Sequence, residues 1–433
     1  MSRRLADAFY LTLPARAWAW ATYDFANTIY SMNVITMYFA QWIVVDLGFE
    51  DIAYSSAYAL SMAGVALTMP FFGALADGRG RHLRYLLYYT VGCVVFTAAI
   101  GVVGPRAGTA AARGLLALGG FVLANYFYIG GQTFYNAMMR RVSPPGQTGR
   151  VSGLGTALGY LGAIVGLVVV WPFVKGWVPG FAAARTSAFV PTAVFFLLFA
   201  LPIFIWGREA RRAEAPRVSA AAAASKVWET LKRARRRPEV FKFLAGNFFL
   251  EDPVATAIVF MAVYAQRVFG MADDAKIPLF IVSTTFAVAG AAAAGFVTDR
   301  WGPKRTTVAT SLGWAGTFVL IALARHPVLF WVGGALVGIG LGFTWTAARP
   351  FLATLVEHGE QGEFFGLYAL SSRAAAIVGP LVWGGIVYAA AAWPTGKYRL
   401  AVASLAILEL VAAVVLSTVK APQKNVAASP AIT

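Results

Sequence analysis

Long apolar runs alternate with short polar segments along the whole chain. A bilayer core about 30 Å thick needs roughly twenty apolar residues of α-helix to cross it. Twelve runs meet that length, at about 17–45, 56–76, 83–103, 115–139, 151–170, 188–206, 240–264, 277–297, 306–324, 328–356, 366–389 and 399–419. A longer polar segment, 208–238, separates the first six spans from the last six. The pattern predicts an all-α integral membrane protein with an N-terminal half (1–207), a basic linker (208–238), a C-terminal half (239–420) and a short tail (421–433). In lipid each backbone polar group must be bonded within its own segment, which favours helices throughout.

Composition agrees. The 433 residues are 59% hydrophobic and 13% charged, against roughly 25% charged in a soluble protein. A formal charge of +17 would suggest nucleic acid in a soluble chain. Here the basic residues cluster between apolar spans, which the positive-inside rule explains without a nucleic-acid partner. That bias places both termini and the linker on the cytoplasmic side of a cell inner membrane, with the first span uncleaved. Arg208, Arg211, Arg212, Arg217, Lys226, Lys232, Arg233, Arg235, Arg236 and Arg237 crowd the linker, where anionic lipids are expected partners. Its Ala220–Ala224 run and Trp228 suggest a short surface helix; a solvated linker explains the same residues equally well. One cysteine, Cys93, excludes a disulfide framework and a thiolate metal site. Three histidines build no metal centre, and no Walker A, H-E-x-x-H or G-x-S-x-G sequence occurs. Neither a metal, a cofactor nor an enzymatic activity is expected.

The halves repeat each other. Gly149, Gly153, Leu154, Ala163, Ile164, Val165 and Gly166 recur at equal spacing as Gly362, Gly366, Leu367, Ala376, Ile377, Val378 and Gly379. After span two the chain reads Gly73-Ala74-Leu75-Ala76-Asp77-Gly78-Arg79-Gly80-Arg81. After span eight it reads Gly295-Phe296-Val297-Thr298-Asp299-Arg300-Trp301-Gly302. Both are G-x-x-x-D followed by glycine and basic residues. The glycine lets two helices approach, and the aspartate can dock at a helix N-terminus or neutralise an arginine. One copy would read as a polar turn; two at matching places do not. Inverted or parallel repeats of this size mark transporters, with the site between the copies.

The paired turn resembles the loop signature of the major facilitator superfamily, although Gly78 stands where that signature has arginine. Tyr23-Asp24-Phe25-Ala26-Asn27, Phe134-Tyr135-Asn136-Ala137, Gly149–Gly155 and Glu363-Phe364-Phe365-Gly366-Leu367-Tyr368 are similar to motifs of its "unknown major facilitator" branch, related to fungal vacuolar amino-acid effluxers. The resemblance implies twelve helices in two pseudo-symmetric six-helix bundles, with a cavity bounded by spans one, four, seven and ten.

Ionisable groups inside spans usually face a cavity or a partner. Asp24 and Asp252 are repeat partners, each in a D-x-x-x-T stretch with Thr28 or Thr256. With Glu251 and Arg373 they are the candidates for proton coupling; structural ion pairing is the competing role for each. Pro253 is expected to break span seven beside the acids. Span four carries Asn125, Tyr128, Gln132, Tyr135 and Asn136 on one helical face. These residues, with Asn27, are candidate substrate ligands, or else interhelical hydrogen-bonding groups. Arg349 occupies the repeat position of Asn136, beside Trp345, and can grip a carboxylate through two parallel hydrogen bonds. It can equally snorkel to the surface or pair with an acid. Arg373 takes the place of Tyr160. Glu409, in span twelve, is expected to be structural. Asp77, Arg81, Asp299 and Arg300 are expected to gate the cytoplasmic side.

The sequence therefore points to a monomeric secondary transporter of a small solute, working by alternating access. An amino acid or related carboxylate, proton-coupled and exported, fits the residues. Two rivals remain: a lipophile exporter of the same fold, for which Tyr128, Tyr135 and Trp345 supply aromatic walls, and a non-transporting receptor or scaffold acting through the linker.

Overall fold

The computed structural model describes residues 13–103, 106, 108–144, 148–207, 225, 228–229, 232–356 and 361–420. Most of the linker and the tail lie outside them. Among the described residues there are twelve helices long and apolar enough to cross a membrane. They are α1 (Ala15–Asp46), α2 (Asp51–Arg79), α3 (His82–Val103), α4 (Ala110–Val142), α5 (Thr148–Val174), α6 (Phe189–Trp206), α7 (Pro238–Phe269), α8 (Asp273–Trp301), α9 (Pro303–Leu323), α10 (Pro327–Leu355), α11 (Gln361–Ala389) and α12 (Gly396–Ser417). Helices α1, α3, α5, α7, α9 and α11 run from the end that holds the start of α1 and the close of α12, the proximal end, to the opposite, distal end.

The two halves use the same pairings. Helix α1 packs on α5 and α6, α2 on α4, and α3 on α4 and α6; α7 packs on α11 and α12, α8 on α10, and α9 on α10 and α12. The repeat seen in the sequence is thus a repeat of packing. Helices α1 and α7 are the most enclosed, with 78% and 72% of their apolar windows buried against 33% in α3 and 28% in α10. They are the central pair.

Glycine sets the closest of these contacts. A side chain at Gly162 of α5 would strike the Phe25 carbonyl and the Thr28 hydroxyl of α1. One at Gly379 of α11 would strike Thr256 and Asp252 of α7. The D-x-x-x-T stretches therefore lie against the glycine faces of the fifth and eleventh helices, where small residues permit close packing.

Two local expectations change. Helix α7 continues through Pro253. Proline removes one hydrogen bond, but the flanking Asp252, Pro253 and Val254 are all buried, so packing on several sides holds the helix together. The irregularity lies instead in α1, whose Ser31–Tyr38 and Trp42–Asp46 segments are π-helical. Asp51, expected in a loop, opens α2, where it is 2% exposed and accepts the Tyr398 hydroxyl of α12 at 3.1 Å.

Candidate functional site

Aromatic contacts join α1 to α4 inside the N-terminal half. Tyr135 stacks on Trp20 at 4.4 Å with the rings 7° apart, and the Trp20 indole donates to the Tyr135 carbonyl at 2.9 Å. Tyr128 lies on Tyr30 at 4.5 Å. The Gln132 amide approaches the Tyr128 hydroxyl at 3.4 Å. Asn125 is buried and donates to Ser61 of α2 at 2.7 Å. Asn136, next to buried Tyr135, is exposed. The polar stripe of α4 is therefore divided: Asn125 serves a helix–helix contact, Tyr128 and Tyr135 build an aromatic wall, and Asn136 stands exposed at the proximal end. Asn27 is buried, with its amide nitrogen unpartnered among the described residues.

The acids at membrane depth differ sharply in their surroundings. Asp252 is 1% exposed and accepts the Gly379 backbone N–H at 2.5 Å. Glu251 is half-buried, with the Tyr368 hydroxyl at 3.4 Å and the Arg349 and Trp345 side chains acting on the same carboxylate. Glu409 is fully buried and takes the Ser311 hydroxyl at 2.7 Å. Asp24 is half-buried over Gly159 and receives no hydrogen bond to its carboxylate among the described residues. Its neighbour Thr28 donates to the Gly159 carbonyl at 2.6 Å.

Two arginines stand on the facing helices of the other half. Arg349 is exposed on α10 one turn after Trp345, which is 38% exposed. Arg373 of α11 is half-buried and reaches the Thr133 hydroxyl of α4 at 3.0 Å. Thus α10 and α11 each carry a guanidinium group, and that of α11 crosses to the N-terminal half.

At the distal end the halves are tied together. Arg185, just before α6, pairs with Asp46 of its own half and, in the other half, with Asp273 at 3.0 and 3.2 Å and Gln266 at 3.3 Å. Lys276, whose side chain is fully buried, holds Asp273 at 2.8 Å and Gln266 at 2.7 Å, and also contacts Gln41 of α1. Lys175 meets Asp274 at 2.5 Å, and the Trp171 indole donates to the same carboxylate at 3.2 Å. Arg267 donates to the Val44 carbonyl at 2.6 Å. At the proximal end, Arg81, Asp299 and Arg300 are exposed, as are Asn136 and Arg349. The side chains of Asp77 and of the first residues of the fifth and eleventh helices, around Gly149 and Gly362, lie outside the described ones.

A profile described as "Vacuole effluxer Atg22 like" matches residues 43–429. The chain belongs to the Atg22-like effluxer family. Within it, the chain is 26% identical over 413 residues to an uncharacterized MFS-type transporter of Bacillus subtilis, covering 93% of this chain and 94% of that one. It is 24% identical over 291 residues to autophagy-related protein 22 of Botryotinia fuckeliana, covering 60% of this chain and 42% of the fungal one. Its fold is that of solved major facilitator structures. The nucleoside transporter NupG matches with a TM-score of 0.71 at 13% identity, over 93% of this chain and 98% of that one. A bacterial homolog of the human lysosomal transporter Spinster matches at 0.69 and 16% identity, over 93% and 95%. This Atg22-like chain is a membrane transporter of the major facilitator type.

Sequence reasoning named Arg349, Arg373 and the α4 stripe of this Atg22-like chain, but not the distal contacts between its halves. Arg185 and Lys276 look like ordinary charges at span ends, where positive residues are common. One signal was available: Lys276 stands a turn inside an apolar span with Asp273 behind it, and a lysine there needs a partner.

Proposed function

We propose that this transporter moves a small amino acid or related carboxylate out of the cell, coupled to protons. The observation that carries the reading is the pair of guanidinium groups, Arg349 on α10 and the half-buried Arg373 on α11, the second of which reaches the other half at Thr133. Arg373 has a hydroxyl and no acid as its partner among the described residues. A desolvated arginine is costly unless an anion or several acceptors answer it, and a carboxylate fits its two parallel donors. Glu251, beside Arg349 and Tyr368, is the proton-coupling group: when it takes up a proton, Arg349 is released to the substrate. The family description, effluxer, favours export. The positive-inside bias supports a cell inner membrane with both termini cytoplasmic, so the latched distal end faces outward and the substrate enters from the cytoplasm.

The test is binding and counterflow with purified protein in detergent and in proteoliposomes. Ligands that bind the folded state raise its melting temperature. Amino acids or simple carboxylates should stabilise the wild type, and Arg349→Gln should lose that shift while melting normally without ligand. If bulky lipophilic cations alone stabilise the protein, the aromatic wall is the site and the lipophile-exporter reading replaces this one.

A further inference from the structure

A recess of about 330 Å³ opens at the proximal end of the N-terminal half, where α1 and α3 begin and α4 and α6 end. Arg16 of α1, His82 of α3 and Arg141 of α4 bring basic side chains to its wall, and no acid lines it among the described residues. Both arginines are exposed, and neither makes a hydrogen bond or ion pair among the described residues. His82 is 2% exposed, so the recess reaches a buried side chain rather than lying flat on the surface. Basic groups on three helices around one hollow concentrate positive potential there. Guanidinium groups answer a phosphate through paired N–H donors. The volume is at the small end of ligand cavities, roughly 300–1,000 Å³, which suits a headgroup rather than a whole lipid.

The rest of the wall is apolar: Pro14, Leu83, Met138, Val142 and Trp206. Trp206 is 55% exposed, and an exposed tryptophan at a helix end suits the boundary between headgroups and hydrocarbon. From Leu83 an apolar row continues along α3. Leu87, Val91 and Val95 follow at steps of four, which keeps them near one helical face, and all three are exposed. Leu198, Leu201 and Ile205 form a similar exposed row on α6, ending beside Trp206. The two helices meet at the recess: a side chain at Gly207, just after α6, would come within 3.3 Å of Leu83. A soluble phosphate has no use for these rows. A phospholipid does, with its phosphate in the recess and its chains along α3 and α6.

We propose that this recess binds the headgroup of an anionic phospholipid, with Arg16 and Arg141 gripping the phosphate and the apolar rows of α3 and α6 covering the chains. A zwitterionic lipid brings a cationic group that no acid on the wall answers, so the recess selects the anionic one. On the orientation proposed above, this end meets the cytoplasmic leaflet, whose anionic lipids draw basic side chains. Helices α1, α3, α4 and α6 all belong to the N-terminal half, so the bound lipid braces that half alone and leaves the two halves free to move against each other. The site is independent of the solute reading.

The test strips the full-length protein of lipid in a neutral detergent and follows its melting temperature on titration. The probes are phosphatidylglycerol, phosphatidylcholine with the same chains, and soluble glycerol 3-phosphate. Phosphatidylglycerol should stabilise the wild type well beyond the other two. Arg16→Gln and Arg141→Gln should each raise the phosphatidylglycerol concentration needed for half the effect by about tenfold, the scale of one charged hydrogen bond. Both should melt as the wild type does in phosphatidylcholine. Equal stabilisation by the two lipids would overturn headgroup selection. Glycerol 3-phosphate acting as well as the lipid would make this a site for a soluble anion and overturn the lipid assignment. Variants that melt lower in every lipid, yet keep the phosphatidylglycerol increment, would make the arginines caps on the carbonyl ends of α4 and α6 and overturn it too. Should a variant fail to fold, wild type is photocrosslinked with phosphatidylglycerol carrying a photoreactive chain. Attachment along α3 and α6, near Leu87 and Ile205, supports the site; attachment only elsewhere overturns it.

Discussion

At the distal end, Arg185, Lys175, Lys276 and Arg267 each touch an acid, an amide or a carbonyl of the other half. At the proximal end, Arg81, Asp299, Arg300 and Arg349 are exposed. Both ends are rich in charge; what differs is its solvation. Lys276 is fully buried, and in a poorly polarisable setting its contacts are strong and its loss is costly. Lys175 and Asp274 are 35% and 50% exposed, so water and salt weaken that pair. The lesson is that charge latches two halves only where packing first removes the water, and here that happens at one end. The difference between the ends can be broken in graded steps.

The largest effect is expected from freezing the latch. In the Lys175→Cys/Asp274→Cys pair, a short bifunctional thiol crosslinker should join the halves and abolish transport, with activity intact before treatment. Cys93 is buried, so background reaction is low. Full transport by the crosslinked protein would mean that the distal end never has to open.

Next comes Lys276→Met. It strands Asp273, Gln266 and Gln41 around a buried methyl thioether, at a cost on the order of 3 kcal/mol to the latched state. A Gln41→Cys reporter should then react with a membrane-impermeant thiol reagent at least about tenfold faster, since a shift of about 1.4 kcal/mol already implies that factor. An unchanged labelling rate would show that Lys276 is incidental to closure.

A milder contrast needs no damage to the latch. Single cysteines at Asn136 and Trp345 should label about tenfold or more faster than one at Gln41, because the first two positions are exposed and the last is buried. Comparing right-side-out with inverted vesicles would also report which membrane face the proximal end occupies. Similar rates at all three positions would erase the difference between the ends. The smallest effect belongs to Lys175→Ala, expected within about 0.2–1 kcal/mol because its pair is solvated. A melting-temperature loss as large as that of Lys276→Met would mean that solvation is not what separates the two ends.

Much of the architecture was legible in advance. The spans, the polar linker and the repeated glycine–aspartate turns all surface in the hydropathy and spacing of the chain, and the helices fall within about five residues of expectation, the largest differences being at ends of α2, α4, α7 and α11. The site was legible only as an inventory. Arg349, Arg373 and the α4 stripe could be named, but that Asn125 is spent on Ser61 while Tyr135 keeps an unmet hydroxyl depends on neighbours from other helices. Pro253 shows the same limit. Its lost hydrogen bond is a local fact, whereas the continuity of α7 reflects the packing around it.

Sequence by itself determined that this is a twelve-span, two-fold repeated membrane protein. The reason is physical: a helix in lipid satisfies its backbone within one segment, so hydropathy alone locates it. Tertiary structure decided what each charged group does. Asp24 and Asp252 are equivalent in sequence, yet one carboxylate is closed off by the Gly379 N–H and the other has no donor among the described residues. Their local stretches share the D-x-x-x-T pattern; the group that answers Asp252 arrives on α11, from more than a hundred residues away. Only the folded contact tells the two aspartates apart.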